Sequence, residues 1–244
     1  MRKEMNPNRK TAIIVGVLFI TATVASLLST GFTGSILDTP DYLSKISANE
    51  NKIIIGALLQ FIAAATSAGI AISLYPILRK YNEGLALGSV GFRLIEGVFY
   101  IVSALGLLSL LTLSQEYVKA GSPAASYFQI LGALMLAVRN WAGFVFGATA
   151  FSLGALMYYY VFYQSKLIPR WLSGWGLIGI VLLLSMALLV TFGEEPSGMT
   201  LLLAFPIFLQ EMVFAVWLIV KGFNPSAVAS LYANTVTNEL LSAS

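Results

Sequence analysis

Residues 85–113 read LALGSVGFRLIEGVFYIVSALGLLSLLTL, an apolar run in which Arg93 and Glu96 are the only charged residues. At about 1.5 Å of rise per residue, ~20 apolar residues in a helix span the ~30 Å hydrocarbon core of a bilayer. A charge inside such a span costs at least ~2.5–3.5 kcal/mol, so the two side chains must face protein or water. The run therefore predicts a membrane-spanning helix with a buried polar site.

The composition extends this reading to the whole chain. Hydrophobic residues make up 58% of the 244 residues and charged residues 10%, against about 25% charged in soluble domains. The chain has no Cys and no His, which excludes disulfides, thiolate nucleophiles, the common zinc sites and histidine-based catalysis. We therefore expect an all-α, polytopic integral membrane helix bundle that is not an enzyme, with no metal, no cofactor and no nucleic-acid partner.

Six transmembrane helices are predicted within a single membrane domain covering residues 1–244. Their ranges are 11–31, 53–78, 85–113, 140–163, 172–192 and 200–220. Ser47 and Glu50 form a capping-box pattern before the second helix. The apolar stretch 124–163 would be ~60 Å long as a helix, which is too long for one span. Residues 124–138 are therefore expected to form an outer interfacial or re-entrant helix, or an extension of helix four. Residues 223–244 are expected as a partly disordered cytoplasmic tail.

The distribution of Lys and Arg predicts the orientation. Nine lie at the N-terminus, in two loops and after the sixth helix, namely Arg2, Lys3, Arg9, Lys10, Arg79, Lys80, Lys166, Arg170 and Lys221. The loops on the opposite side hold only Lys45, Lys52 and Lys119. Because positive residues stay on the cytoplasmic side, both termini are predicted to be cytoplasmic.

The candidate site starts from a polar stripe on the third helix. Residues at three- and four-residue steps share one face of this helix: Ala86, Ser89, Arg93, Glu96, Tyr100 and Ser103. Gln210 and Glu211 lie ~14 Å from the cytoplasmic end of the sixth helix, and Glu96 lies ~17 Å deep, so both carboxylates can meet at one level. If Arg93 neutralises only one of them, the other must hold a proton or a cation.

Two further helices contribute candidate residues. Gln60 belongs to a small polar stripe with Ala64, Ser67 and Ala71 on the second helix, which could complete a cavity. Arg139 and Asn140 are expected at the outer membrane boundary, as an outer-side polar contact away from Glu96. Small residues follow along one face of the fourth helix and predict close helix packing: Gly143, Gly147, Ala150 and Gly154.

Several short motifs resemble a bacterial membrane family catalogued as domain of unknown function 4386. They are residues 46–51 (ISANEN), 74–76 (LYP), 82–88 (NEGLALG), 91–96 (GFRLIE), 111–114 (LTLS), 169–176 (PRWLSGWG), 211–212 (EM) and 221–225 (KGFNP). The resemblance covers roughly residues 9–225 and implies a multi-pass protein of the bacterial inner membrane, with no activity to transfer. Where the family pattern is Arg-Asp-Trp, this chain has Arg139-Asn140-Trp141, so the resemblance implies one carboxylate fewer there.

Three functions are compatible with these residues. The first is binding or transport of a small molecule or ion through a central polar cavity, with Glu96 and Glu211 as protonatable or cation-binding groups and Arg93 as their counter-charge. The alternative is a non-transporting membrane scaffold or sensor in which the same residues form a structural ion-pair network. A third hypothesis, an intramembrane enzyme acting on lipid, has only the two carboxylates and the tyrosines at 158–160 to use.

Overall fold

The chain is an all-helical bundle, as predicted. The computed structural model describes residues 6–123, 127–193, 198 and 202–242, and these residues contain no strand. The helices are α1 (Pro7–Leu37), α2 (Tyr42–Ala48), α3 (Glu50–Leu78), α4 (Glu83–Lys119), α5 (Tyr127–Ser165), α6 (Arg170–Thr191), α7 (Phe205–Val220) and α8 (Pro225–Ser242).

Five of these helices, α1, α3, α4, α5 and α6, are long and apolar enough to cross a membrane. The helix α7 is shorter, with 16 residues, and passes the same test only together with α8, to which it is joined by an 81° bend. The bundle therefore has five or six candidate spans by length and composition, in agreement with the predicted multi-pass architecture. The predicted start of the sixth span, Thr200, lies outside the described residues.

The long helices alternate in direction and so define two ends of the bundle. We call N-terminal face the end that carries these helix termini: Pro7, Leu78, Glu83, Ser165, Arg170 and Val220. At this face the amide of Asn224 donates to the carbonyl of Leu167 (2.8 Å), and the Lys80 ammonium lies 3.9 Å from the centre of the Tyr232 ring. At the opposite face, α2 is held against α4, where the Ser114 hydroxyl donates to the carbonyl of Leu43.

The segment that the sequence left open is one continuous 39-residue helix, α5. Its N-terminal part, from Tyr127, is the helical extension and not a separate interfacial or re-entrant helix; residues 124–126 lie outside the described residues. The polar pair Arg139-Asn140 does not end the helix. Instead a π-helical segment, Trp141–Gly147, follows directly and leads into regular α-helix from Ala148.

Two other local expectations differ from the structure. The capping box of Ser47 and Glu50 is not formed, because Ser47 belongs to α2 and Asn49 is the N-cap residue of α3, without a side-chain hydrogen bond. The tail after Phe223 is helical through most of its length, as α8, where partial disorder was expected.

Small residues set the helix packing, because apolar lipid gives helices little hydrophobic reason to associate. A Cβ added to Gly16 of α1 would lie 2.7 Å from the carbonyl oxygen of Ala215 in α7. A Cβ added to Gly179 of α6 would lie 2.9 Å from the backbone nitrogen of Ile207. The helix α7 is thus wedged between α1 and α6 at distances that only glycine permits.

The first and last long helices are also joined at the N-terminal face. The guanidinium of Arg9 in α1 donates to the carbonyls of Leu218, Ile219 and Val220, which are left without helical partners at the end of α7. A cation at this position also complements the negative end of the helix dipole. This contact closes the bundle between its two chain ends.

A dense aromatic core fills the half of the bundle nearer the N-terminal face. Its rings come from α1, α5 and α7, each at most 1% exposed: Phe19, Tyr158, Tyr159, Phe162 and Phe214. The Phe19 and Phe214 rings meet edge to face with centres 5.3 Å apart. This core packs α1, α5 and α7 together beneath the N-terminal face.

Candidate functional site

The polar stripe of α4 faces the interior of the bundle. Ser89, Arg93, Glu96 and Ser103 are buried, and Tyr100 is half-buried. Their three- and four-residue spacing places them on the face of α4 that packs against α3 and α5. Gly154 of α5 allows α5 to pack closely against this face, since a Cβ at residue 154 would lie 3.2 Å from Cγ of Arg93.

Arg93 and Glu96 form a buried ion pair. Nη1 of Arg93 lies 3.0 Å from Oε2 of Glu96, and each residue is 2% exposed. The same carboxylate oxygen accepts a hydrogen bond from the Ser67 hydroxyl of α3 at 2.7 Å. The guanidinium carbon lies 4.7 Å from the centre of the Phe151 ring of α5. One pair thereby connects three helices, yet Nε and Nη1 of Arg93 make no hydrogen bond.

Glu211 of α7 lines the same cavity as this pair. The residue is partly exposed, but its Oε1 is buried and has no hydrogen-bond partner. Both Arg93 and Glu96 interact with it electrostatically. Two carboxylates and one guanidinium thus line one cavity, so with both carboxylates ionised the site carries one uncompensated negative charge. Such a charge is costly in a low-dielectric interior unless a proton or a cation neutralises it.

These side chains line a cavity of about 380 Å³, which we call the inner cavity. Its polar lining residues include Arg93, Glu96, Glu211 and Tyr100. Its remaining walls are largely apolar and come from several helices, including the rings of Phe19, Phe144, Phe151 and Phe208. A mostly apolar cavity with a few converging polar groups is the usual form of a small-molecule site.

A second cavity of about 730 Å³, the outer cavity, lies nearer the opposite face. Gln60, Arg139 and Asn140 line it, together with Asp38 at the end of α1. Nη1 of Arg139 donates to Oδ1 of Asn140 at 2.9 Å, and Arg139 also interacts electrostatically with Asp38. Oε1 of Gln60 is buried without a hydrogen-bond partner. The outer cavity is therefore polar and contains charges of both signs.

The two cavities adjoin each other, because five residues line both: Ser26, Ala63, Tyr100, Gly143 and Phe144. Gly143 and Phe144 belong to the π-helical segment of α5, and Tyr100 belongs to the polar stripe of α4. π-Helical segments recur at functional sites, because the extra residue redirects side chains locally. Tyr100 and the π-helical segment thus form the boundary between the site and the outer cavity.

The structure brings most of the predicted site residues together in two groups. Arg93, Glu96, Glu211 and Tyr100 line the inner cavity, whereas Gln60, Arg139 and Asn140 line the outer cavity with Tyr100. Arg139 is thus separated from the inner carboxylates, as expected from its depth.

Gln210 lines neither cavity. Its Oε1 accepts from the Tyr159 hydroxyl at 2.5 Å, and its Nε2 donates to the carbonyl of Leu172 at 3.0 Å. Gln210 thus ties α7 to α5 and α6.

Two groups of cavity-lining residues were not predicted from the sequence, namely Asp38 and the aromatic residues of the walls. Asp38 carried a signal, because it is the first charged residue after the first predicted span.

The family model described as Domain of unknown function (DUF4386) matches residues 14–222 of the chain. The chain belongs to this family. Every residue that lines the inner or the outer cavity falls within the DUF4386 match, whereas α8 lies beyond it. Searches of the curated proteins and of the solved structures found no match. Membership of the DUF4386 family and the apolar helices together make the chain a multi-pass membrane protein.

Among the residues that the structure describes, no three His, Cys, Asp or Glu side chains lie close enough together to hold a metal ion. The inner cavity supplies two carboxylates and a guanidinium, a set suited to exchanging a proton or pairing with a charged ligand.

Proposed function

We propose that this protein binds a small molecule or ion in the inner cavity and carries it across the membrane, with Glu96 and Glu211 as the coupling carboxylates. The observation that carries the proposal is the unpartnered, buried Oε1 of Glu211 in the cavity that the Arg93–Glu96 pair also lines. A carboxylate in this position changes its charge state or its partner whenever a ligand enters. That property is what coupled transport requires.

The arrangement of the cavities supports access from one side. The outer cavity reaches Asp38 and Gly193, which lie at helix ends of the opposite face, and it adjoins the inner cavity at Tyr100. Towards the N-terminal face, the buried rings of Phe19 and Phe214 pack edge to face beside the inner cavity. In a carrier that alternates between two states, the binding site is accessible from only one side of the membrane in each state.

The orientation and the membrane are part of the same proposal. The excess of Lys and Arg at the N-terminal face favours cytoplasmic termini, in which case the outer cavity opens to the outside. We place the protein in the cytoplasmic membrane, the inner membrane where there are two. Its partners are the lipid bilayer and a small ligand, and we assign it no enzymatic activity.

Proton release and uptake by the reconstituted protein test the proposal directly. We expect the wild type to exchange protons with the medium from about pH 5 to about pH 9, and Glu211→Gln to lose this titration while remaining folded. Glu116→Gln is the matched control, because Glu116 is exposed and pairs with Lys119 on the surface of α4. A wild type whose titration is the same as that of a well-folded Glu211→Gln variant would disprove coupling.

One observation favours the second candidate, a non-transporting scaffold or sensor. The contacts of Glu96 with Ser67 and Arg93, and of Arg93 with Phe151, link α3, α4 and α5 as a structural network would. This candidate predicts that Glu96→Gln lowers stability and that no proton or ligand signal exists to be lost. The proton measurement on folded variants therefore separates the two candidates.

A further inference from the structure

The charge and the walls of the inner cavity indicate the chemical class of its ligand. We propose that the cavity takes an organic monocation, a small amine or quaternary ammonium with an apolar body, and that Glu211 is its counter-ion. This inference rests on the proposed function, since it names the solute for the same site.

Net charge selects a monocation over the other ligand classes. With Arg93 positive and Glu96 and Glu211 negative, the site carries a charge of minus one. A monocation brings the sum to zero, a zwitterion leaves it unchanged, and an anion makes it more negative. Because uncompensated charge is expensive in a water-poor interior, the monocation is the ligand class that the site stabilises.

The walls select an organic cation over a metal ion. Alkali and alkaline-earth cations need about six oxygen ligands, and most of the inner cavity wall is apolar. Phenyl rings of Phe19, Phe144 and Phe208 line it instead. Aromatic faces attract ammonium groups, and apolar walls favour a hydrocarbon body. The cavity volume of about 380 Å³ suits a compact molecule of this kind.

Arg93 does not contradict this assignment, although it carries the same sign as the ligand. Its charge is directed to Glu96 at 3.0 Å, and its guanidinium packs against the ring of Phe151. The Nε group, which makes neither a hydrogen bond nor the ion pair, can donate to a neutral acceptor on the ligand, such as a hydroxyl or carbonyl oxygen.

The titratable groups that face Glu211 determine how a cation is linked to protons. They are Arg93, Glu96 and Tyr100 on α4 and Tyr158 and Tyr159 on α5. In the empty site, a proton on one carboxyl replaces the missing positive charge. Entry of the cation then releases that proton to the medium, and the charge of the site stays balanced. One proton is released for each cation bound.

Binding of radiolabelled benzyltrimethylammonium to the purified, full-length protein in lipid nanodiscs tests the proposal. This ion cannot lose its charge, so any pH dependence comes from the protein. We expect Glu211→Gln to weaken binding at least about tenfold and Glu116→Gln to leave it unchanged. Neopentylbenzene has the same shape without the charge, and we expect it to compete poorly.

Three results would overturn the assignment. The first is equal binding by wild type and Glu211→Gln, and the second is full competition by neopentylbenzene, which would identify a merely apolar cavity. The third is absence of binding by the wild type. Glu211→Asp keeps the charge and gives a second variant if Glu211→Gln does not fold; it should retain binding. Proton titration without ligand tests the proposed function separately. Failure of benzyltrimethylammonium to bind would therefore exclude an organic cation as the ligand without excluding proton-coupled transport.

Discussion

Arg93→Gln leaves the carboxylates of Glu96 and Glu211 in the inner cavity with no counter-charge and should lower the stability of the bundle strongly. At the observed separation of 3.0 Å, with an effective dielectric constant of about 20, the attraction to Glu96 is worth about 5 kcal/mol. Removing one partner of a buried ion pair costs about 3–5 kcal/mol in general. We therefore expect the free energy of unfolding to fall by about 3–5 kcal/mol at neutral pH.

Acid should reduce this loss, because protonation removes the charge that Arg93 balances. The expected difference between wild type and Arg93→Gln is therefore largest at neutral and alkaline pH, and small once the carboxyls of Glu96 and Glu211 are protonated. The double variant Arg93→Gln/Glu96→Gln should recover a large part of the stability at neutral pH, since only one charge then remains buried.

Reversible unfolding in mixed micelles, followed by helical circular dichroism, measures these differences. A matched control lies on the same helix: Glu116 and Lys119 form a pair with the same three-residue spacing, 2.7 Å apart, but with side chains 57% and 71% exposed. Lys119→Gln should cost less than about 1 kcal/mol. Equal losses for Arg93→Gln and Lys119→Gln, or an Arg93→Gln loss that is the same in acid, would refute the charge argument.

Three further predictions concern single contacts. Ser67→Ala removes the hydrogen bond to Glu96 and should cost about 1–3 kcal/mol, as measured by the same unfolding assay; no loss would show that the carboxylate finds another donor. Gly179→Leu places a side chain 2.9 Å from the backbone of α7 and should prevent close packing, so cross-linking between α6 and α7 should fall relative to wild type. A hydrogen bond from Lys45 lowers the pKa of the exposed Asp41 below its usual value, so Asp41 should stay ionised to lower pH than an isolated Asp; carboxyl NMR titration of Lys45→Ala should show the pKa rising, and an unchanged pKa would contradict the contact.

Hydropathy made the helical bundle predictable, and helix geometry made the centre of the site predictable. Arg93 and Glu96 lie three residues apart in an otherwise apolar run, and in a helix this spacing puts both side chains on one face. Lipid on that face would be too costly, so a protein interior was the remaining choice. The structure places them in the interior, in contact with Ser67 of the second predicted stripe.

The rotation of α7 could not be read from the sequence. Gln210 and Glu211 are neighbours and point about 100° apart on a helix, so only one of them can face a given cavity. Both are polar residues in an apolar helix, and hydropathy does not distinguish them. Packing decides, because Gly179 lets α7 approach α6 so closely that Gln210 meets the backbone of Leu172 and Glu211 turns to the inner cavity.

The course of α5 was also beyond local sequence signals. Arg139 and Asn140 interrupt the apolar run and were the only candidate break, yet the helix continues through them. Both side chains find polar surroundings in the outer cavity, and this tertiary environment is what permits polar residues in mid-helix. No residue type within Trp141–Gly147 predicts the adjacent π-helical segment.

The contact between Arg9 and the end of α7 has a consequence for biosynthesis. The helix α1 is synthesised first, and α7 follows after five other helices. Arg9 and Gly16 therefore cannot contact their partners in α7 until nearly the whole chain has been made. During that interval α1 can pack only against α3 and the helices that follow it. The packing of α7 against α1 therefore forms only at the end of translation. A chain that stops before Phe205 leaves one side of its first helix exposed to lipid.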